Sequence, residues 1–231
     1  MVTITGAMQI IYNKQMCSNY TPIKPTRANW VKDKFKTDLP DGSWRAEVYP
    51  TYPAPFIYLQ DGEPKCVLAE FGLRPFWAKD KRFGTKTYNA RSETVAEKPS
   101  YKNAWSKKQF GLAIMDNFYE PNWETGKAVR WGIERADKEA IAIASIWERF
   151  IDKETCEIVF SFSMLTVNAD GHPVMKHFHK PNDEKRSIVV LNDSDYFNWL
   201  NADHAIAKDL LKVAPSGLLT SNPAPLLNQR V

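Results

Sequence analysis

The 231-residue chain is 43% hydrophobic and carries 8 Trp, 9 Tyr and 12 Phe, enough apolar mass for one sizeable core and too much for a disordered chain. No apolar run approaches the ~20 residues needed to cross a bilayer, and the first fifteen residues lack the pattern of a signal peptide, so a soluble cytoplasmic protein of one domain is expected. A net charge of +4 permits a nucleic-acid partner without demanding one.

In chain order, residues 1–16 read as a leader, and the domain is expected over 17–231. Thr26–Phe35 predicts a helix with Trp30, Val31 and Phe35 on its apolar face. Val48–Leu59 is β-rich, but Pro50, Pro53 and Pro55 make it an edge strand or extended loop. Cys66–Leu73 reads as a strand, and Glu97–Lys107 as a short helix with Pro99 in its first turn. Phe110–Phe118 is an apolar run of strand length. Ala128–Arg135 and Ala140–Trp147 are β-patterned and meet at Asp137-Lys138, which predicts a hairpin. Ile158–Val167 alternates as a strand should, and Ser187–Leu191 reads as a short buried one. Asp193 or Ser194 then caps a helix carrying Phe197, Trp199 and Leu200. Ala214–Val231, with three prolines, reads as loop. Many strands and few helices describe an α+β domain with a mainly antiparallel sheet or barrel-like core and a few peripheral helices.

Cys17, Cys66 and Cys156 lie too far apart for a metal clip or redox pair, so neither disulfides nor structural zinc are expected. His172, His177 and His179 are close in sequence but come without an HExxH pattern or a cysteine partner. No metal and no cofactor are expected. Basic residues cluster at Lys24–Lys36, Lys79–Lys86 and Lys98–Lys108, with Trp30, Phe76, Trp77, Tyr88, Tyr101 and Trp105 among them. Cations that track phosphates and rings that stack on unpaired bases would suit a single-strand groove; the alternative is a solvated surface over ordinary core aromatics.

Four segments carry polar groups suited to chemistry: Met16-Cys17; the hexamer Asn89-Ala90-Arg91-Ser92-Glu93-Thr94; Asp116-Asn117-Phe118-Tyr119-Glu120, the polar end of an apolar strand; and His177-Phe178-His179-Lys180-Pro181. Singly, each has an ordinary reading: a buried cysteine, a turn asparagine, a solvated carboxylate, a surface imidazole. Together, and with Phe71-Gly72-Leu73-Arg74-Pro75-Phe76-Trp77-Ala78 between the first two, the series resembles the SOS-response-associated peptidases, or abasic-site-processing proteins. That family's pattern runs Met-Cys-Gly-Arg-Tyr, Trp-Gly-Leu-x-Pro-x-Trp-Ala, Asn-Ala-Arg-x-Glu-Thr, Gly-Phe-Tyr-Glu-Trp and His-x-Arg-Met-Pro. The hexamer matches in full. Ser18 and Asn19 replace Gly-Arg, Phe71 replaces the Trp before Gly-Leu, Pro121 the Trp after the glutamate, and His179-Lys180 the late Arg-Met.

The resemblance implies a monomer acting on single-stranded DNA that contains abasic sites. The lesion exposes an aldehyde, and an N-terminal cysteine offers an amine of reference pKa about 7.7–8.0 and a thiol of about 8.5 on adjacent carbons. Amine and aldehyde condense to a Schiff base, and the thiol closes a thiazolidine. The implied catalytic set is Cys17, Asn89, Glu120 and His177, with His179 as a rival to His177. Glu120 would move protons, Asn89 would orient Cys17, and His177 would act on the sugar or the imine. Arg91, Phe71, Trp77, Lys107 and Lys108 are the expected DNA contacts, Arg91 on a phosphate and the two rings on bases. Cys17 needs a free amine, reached by translation from Met16 with methionine removal, or by self-cleavage of the Met16–Cys17 bond; the resemblance thus implies an enzyme that crosslinks abasic DNA, with autopeptidase-type hydrolase or lyase activity. Two other readings stand beside this one: a cysteine peptidase using Cys17, His177 and Glu120, and a non-catalytic single-strand binder.

Overall fold

The computed structural model describes residues 17–78, 80–152 and 156–226; the leader 1–16 and Lys79 fall outside them. Among the described residues, ten strands and four α-helices follow in the order β1 (Tyr20–Pro22), α1 (Ala28–Phe35), β2 (Pro53–Gln60), β3 (Glu63–Phe71), β4 (Asn89–Arg91), α2 (Lys102–Ser106), β5 (Phe110–Asn122), β6 (Val129–Arg135), β7 (Ile141–Ile151), β8 (Ile158–Asn168), β9 (Arg186–Ile188), α3 (Tyr196–Leu200), α4 (His204–Leu210) and β10 (Leu219–Pro223).

Strand β5 organises the sheet. Its first half pairs with β2 on one edge and β7 on the other, while its second half pairs with β1 and β6. Strand β2 pairs with β3, β3 runs parallel to β8, and β8 pairs with β7, which closes a five-stranded barrel, β5-β2-β3-β8-β7. Beyond Met115 the strand leaves the barrel and carries Glu120 on its extension. The chain is thus a single α+β domain, mostly sheet, with few helices.

Three sequence expectations are corrected. The segment around Pro53 and Pro55 is no edge: β2 pairs on both sides, and its prolines precede Phe56–Tyr58, the stretch flanked by β3 and β5 together. The β6 and β7 segments form no hairpin. Both lie antiparallel to β5 in tandem, Asn117↔Glu134 and then Met115↔Ile141, and the Asp137-Lys138 turn is an excursion between them. Arg135 pins that excursion to Asp137 at 2.6 Å and to Asp193 at 2.5 Å. The C-terminal stretch is not all loop, because β10 pairs with β6 from Leu219 to Pro223.

Alternation along the barrel strands divides the apolar residues between two cores. One set fills the barrel: Phe56, Phe71, Ala113, Met115, Ile143, Phe162 and Met164, with Cys17 and Tyr20 at its end. The other faces outward beneath α1, α2 and α3, where Trp199, Phe110 and Trp105 pack on Leu112, Ile114 and Ile146. At the end of β3 the chain turns sharply at Gly72. Its φ of +118° and its approach to Gly84, whose carbonyl oxygen would lie 2.3 Å from an added Cβ, admit only glycine.

Candidate active site

Strand β1 lays the chain beside the extension of β5, Tyr20 opposite Phe118, and this brings Cys17 to Glu120 across 103 residues of sequence. The backbone nitrogen of Cys17 donates to Glu120 Oε1 at 2.7 Å. Both residues are buried, Cys17 completely and Glu120 to 3% exposure. Burial pushes the Cys17 thiol well up and the Glu120 carboxyl adds to the effect, so the sulfur stays protonated at neutral pH. Burial also raises the Glu120 carboxyl, against the pull of His179 and of the Cys17 N–H. Strand β4, parallel to β8, places Asn89 on the other side of Cys17, where its Nδ2 donates to the Cys17 carbonyl at 3.4 Å. Arg91, two residues on and on the same face, is exposed and holds Glu184 at 2.9 Å.

The structure separates the two late histidines. His177 lies on the surface, its Nδ1 2.7 Å from the exposed Glu124, and it does not reach Glu120. His179 is the imidazole at the carboxylate: its side chain is 11% exposed and its Nδ1 lies 3.8 Å from Glu120 Oε2. The expectation that preferred His177 on spacing is corrected by the backbone between them. His179 adopts φ +66°, a left-handed turn that swings its ring inward. Its N–H donates to the carbonyl of Pro121, the residue after Glu120, at 3.1 Å. His172 belongs to neither, because it serves its own loop by accepting from the N–H groups of Val174 and Met175 at its Nδ1.

Phe71 is also corrected. It is wholly buried and forms the hub of the barrel's aromatic cluster, with ring centroids 5.2 Å from Tyr20, 5.4 Å from Tyr88 and 5.4 Å from Phe162. It cannot stack on a base. Trp77 remains available at 45% exposure, against Phe83 and beside the 72% exposed Phe76. Lys107 and Lys108 lie in the turn that enters β5, and Glu120 is ten residues beyond Phe110, or roughly 30 Å along the strand. They sit at the opposite end of the barrel, where Lys107 acts electrostatically on Glu148.

The fold gathers here residues that the sequence does not assign to the catalytic set, among them Tyr88, one of the aromatics considered for a single-strand groove. Tyr20 and Tyr88 reach the same buried volume, and their hydroxyls are pushed up by burial first and by Cys17 second. Both stand among polar neighbours, Asn19 and Thr21 around one, Thr87 and Asn89 around the other, so local sequence carries no signal that they are buried. Asn19, which stands where the family pattern has arginine, is buried and donates to Glu47, which in turn takes Arg130 at 2.8 Å.

Residues 16–224 match the model of the family described as SOS response associated peptidase (SRAP). The chain belongs to the SRAP family. Among SRAP-like relatives, it is 27% identical over 195 residues to the abasic site processing protein YoqW of Bacillus subtilis, covering 80% of each chain. It is likewise 27% identical to YobE of the same organism, covering 80% of this chain and 82% of that one. A solved structure from Bordetella bronchiseptica superposes with a TM-score of 0.81 at 32% identity, over 91% of this chain and all of the other. One from Bacteroides thetaiotaomicron shares the fold with a TM-score of 0.73 at 20% identity, over 91% and 93%. In the SRAP fold as it stands here, no described helix is long and apolar enough to cross a membrane.

Proposed function

We propose that this chain processes abasic sites in single-stranded DNA by forming a thiazolidine between Cys17, once it is N-terminal, and the aldehyde of the opened sugar. The observation that carries this reading is the 2.7 Å contact between the Cys17 nitrogen and Glu120, with His179 on the carboxylate's other oxygen. The names of the Bacillus relatives point to the same substrate.

The raised thiol sets the order of bond formation. A neutral sulfur is a weak nucleophile, so the amine adds to the aldehyde carbon first. The carbinolamine hydroxyl leaves as water, protonated from Glu120, and a C=N bond forms. The Cys17 sulfur then adds to the imine carbon while its proton passes to the nitrogen. The balance is amine, thiol and aldehyde giving thiazolidine and one water, with no change of oxidation state. Asn89 fixes the Cys17 carbonyl, Arg91 offers a cation to a phosphate beside the lesion, and Trp77 a ring to a base.

The same contact favours self-cleavage as the source of the amine. The Cys17 nitrogen is the leaving group of the Met16–Cys17 bond, and Glu120 stands where it can protonate that nitrogen. The thiol adds to the Met16 carbonyl, the C–N bond breaks, and water hydrolyses the thioester to a carboxylate and the free thiol. A peptidase acting on other proteins gains less support, since the acid–base contact is made to the chain's own Cys17 nitrogen.

Incubation with an abasic oligonucleotide tests the reading. The expected product is an adduct that survives denaturant, maps to residue 17 and has the combined mass less one water. Cys17→Ala abolishes it, and Glu120→Gln slows it by about 10²–10⁴, the usual worth of a positioned acid or base. Binding of intact and abasic strands alike, with no stable adduct from a protein whose Cys17 is N-terminal, overturns the proposal.

A further inference from the structure

The hexamer that most closely matches the family contains a carboxylate, Glu93, with no part in the chemistry above. The fold connects it to His179 through Arg186. The Arg186 guanidinium is 2% exposed, and Glu93 grips it through two oxygens, Nη1–Oε1 at 3.0 Å and Nη2–Oε2 at 2.8 Å. Glu184 adds a contact at 2.6 Å, and the Thr166 carbonyl accepts from Nη2 at 2.9 Å. A forked, doubly bonded pair holds orientation as well as charge. The carbonyl of this same Arg186 lies 3.2 Å from His179 Nε2.

A carbonyl oxygen only accepts, so His179 Nε2 carries the proton in this contact. In the neutral ring Nδ1 then bears the lone pair, and Nδ1 is the atom 3.8 Å from Glu120. Which nitrogen of a histidine is protonated is set by the bond the other one makes. His179 at φ +66° is held in the left-handed region, which is unfavourable for a residue with a side chain. Three contacts offset that cost: the N–H to Pro121, Lys185 Nζ donating to the His179 carbonyl at 3.2 Å, and Nε2 to Arg186. Two of them depend on the short segment Lys185–Arg186.

We propose that Glu93 and Arg186 are positioning residues for His179: the half-exposed Glu93 holds the buried Arg186, fixes the carbonyl that accepts the Nε2–H, and so aims the Nδ1 lone pair at Glu120. This rests on the reading of His179 as the imidazole that works with Glu120. It accounts for a glutamate in the hexamer, one strand away from the cysteine, that touches neither Cys17 nor Glu120 through any hydrogen bond or ion pair found among the described residues.

The test has a direct readout and a kinetic one, on the full chain. Histidine nitrogen and carbon NMR shifts report the tautomer of His179. The wild-type protein should show the Nε2–H form, and Glu93→Gln, which keeps the side chain's size but loses the charged fork, should show a mixture of tautomers. Adduct formation with an abasic oligonucleotide should slow by tenfold to a hundredfold in Glu93→Gln, the order expected for a small misplacement of a reacting group. Glu93→Asp should restore most of the rate together with the single tautomer. An Nδ1–H tautomer in the wild type, or an unchanged tautomer in a folded Glu93→Gln variant, overturns the proposal. Should Glu93→Gln fail to fold, Glu184→Gln combined with Glu93→Asp weakens the same grip by smaller steps and is judged by the same spectrum. Absence of any adduct from wild-type protein whose Cys17 is N-terminal would refute the crosslinking reading and leave the tautomer measurement standing.

Discussion

Phe71→Ala distinguishes a core residue from a base-stacking one. The side chain is fully buried and touches three aromatic rings, those of Tyr20, Tyr88 and Phe162, at centroid distances of 5.2 to 5.4 Å. Truncating a buried Phe costs about 3–5 kcal/mol, transfer and cavity terms together. Loss of favourable ring pairs, each worth about 0.5–1.5 kcal/mol, places this site toward the upper end. The chain length corresponds to about 2–4 °C per kcal/mol, so Tm should fall by roughly 10–20 °C. Thermal unfolding followed by circular dichroism, with denaturant midpoints as a check, measures the loss. Single-strand affinity of the folded protein, measured well below the new Tm, should stay within a few-fold of wild type. A Tm within about 3 °C of wild type, or a selective loss of DNA affinity at intact stability, would refute the assignment of this ring to the core.

Charge placement gives a second test: Lys107→Ala with Lys108→Ala should leave single-strand affinity nearly unchanged, whereas Arg91→Ala should weaken it across all sequences and reduce the salt slope by about one phosphate contact. Glu184→Gln should tighten binding modestly, because it frees Arg91 from a 2.9 Å carboxylate partner; weaker binding by filter retention would count against Arg91 as a phosphate contact. For Glu120, burial raises the folded carboxyl, so its contribution to stability is complete below the unfolded value and drains as pH climbs through the folded one. Glu120→Gln removes that loss, and its stability relative to wild type should rise as pH climbs above the ordinary carboxylate range; parallel denaturation curves would show that burial does not dominate. Gly72→Ala should destabilise by more than about 2 kcal/mol, since φ +118° and a 2.3 Å approach to the Gly84 carbonyl leave the methyl group no room.

Strands were legible wherever alternation or apolar runs were strong. Phe110–Phe118 and Ile158–Val167 fall within β5 and β8, and Thr26–Phe35 contains α1. Pairing was not legible, because it is a long-range property: nothing local in Ala128–Trp147 tells a hairpin from two segments laid end to end on a third strand. Cys17, Asn89 and Glu120 were nameable from motif order, and the fold brings these three together. The structure sets His179, not His177, beside Glu120, and spacing to Pro181 does not foretell this because it ignores the left-handed backbone at residue 179. Phe71 failed for a related reason, since an aromatic beside a glycine reads alike whether it faces barrel or solvent. Arg186 sits at the head of the apolar run Ile188–Leu191 and beside Glu184, and a cation that enters a core there seldom goes unpaired once buried.

The participants of the candidate centre come from positions 17, 120 and 179, and the carbonyl that aims the imidazole from 186. A ribosome-bound chain therefore carries its cysteine from the start but has no matching carboxylate until β5 pairs with β1, and no oriented imidazole until β9 docks on β8. On the proposed chemistry, half-made protein would hold a nucleophile without its acid–base partners, and catalysed reaction with aldehydes would await the end of synthesis.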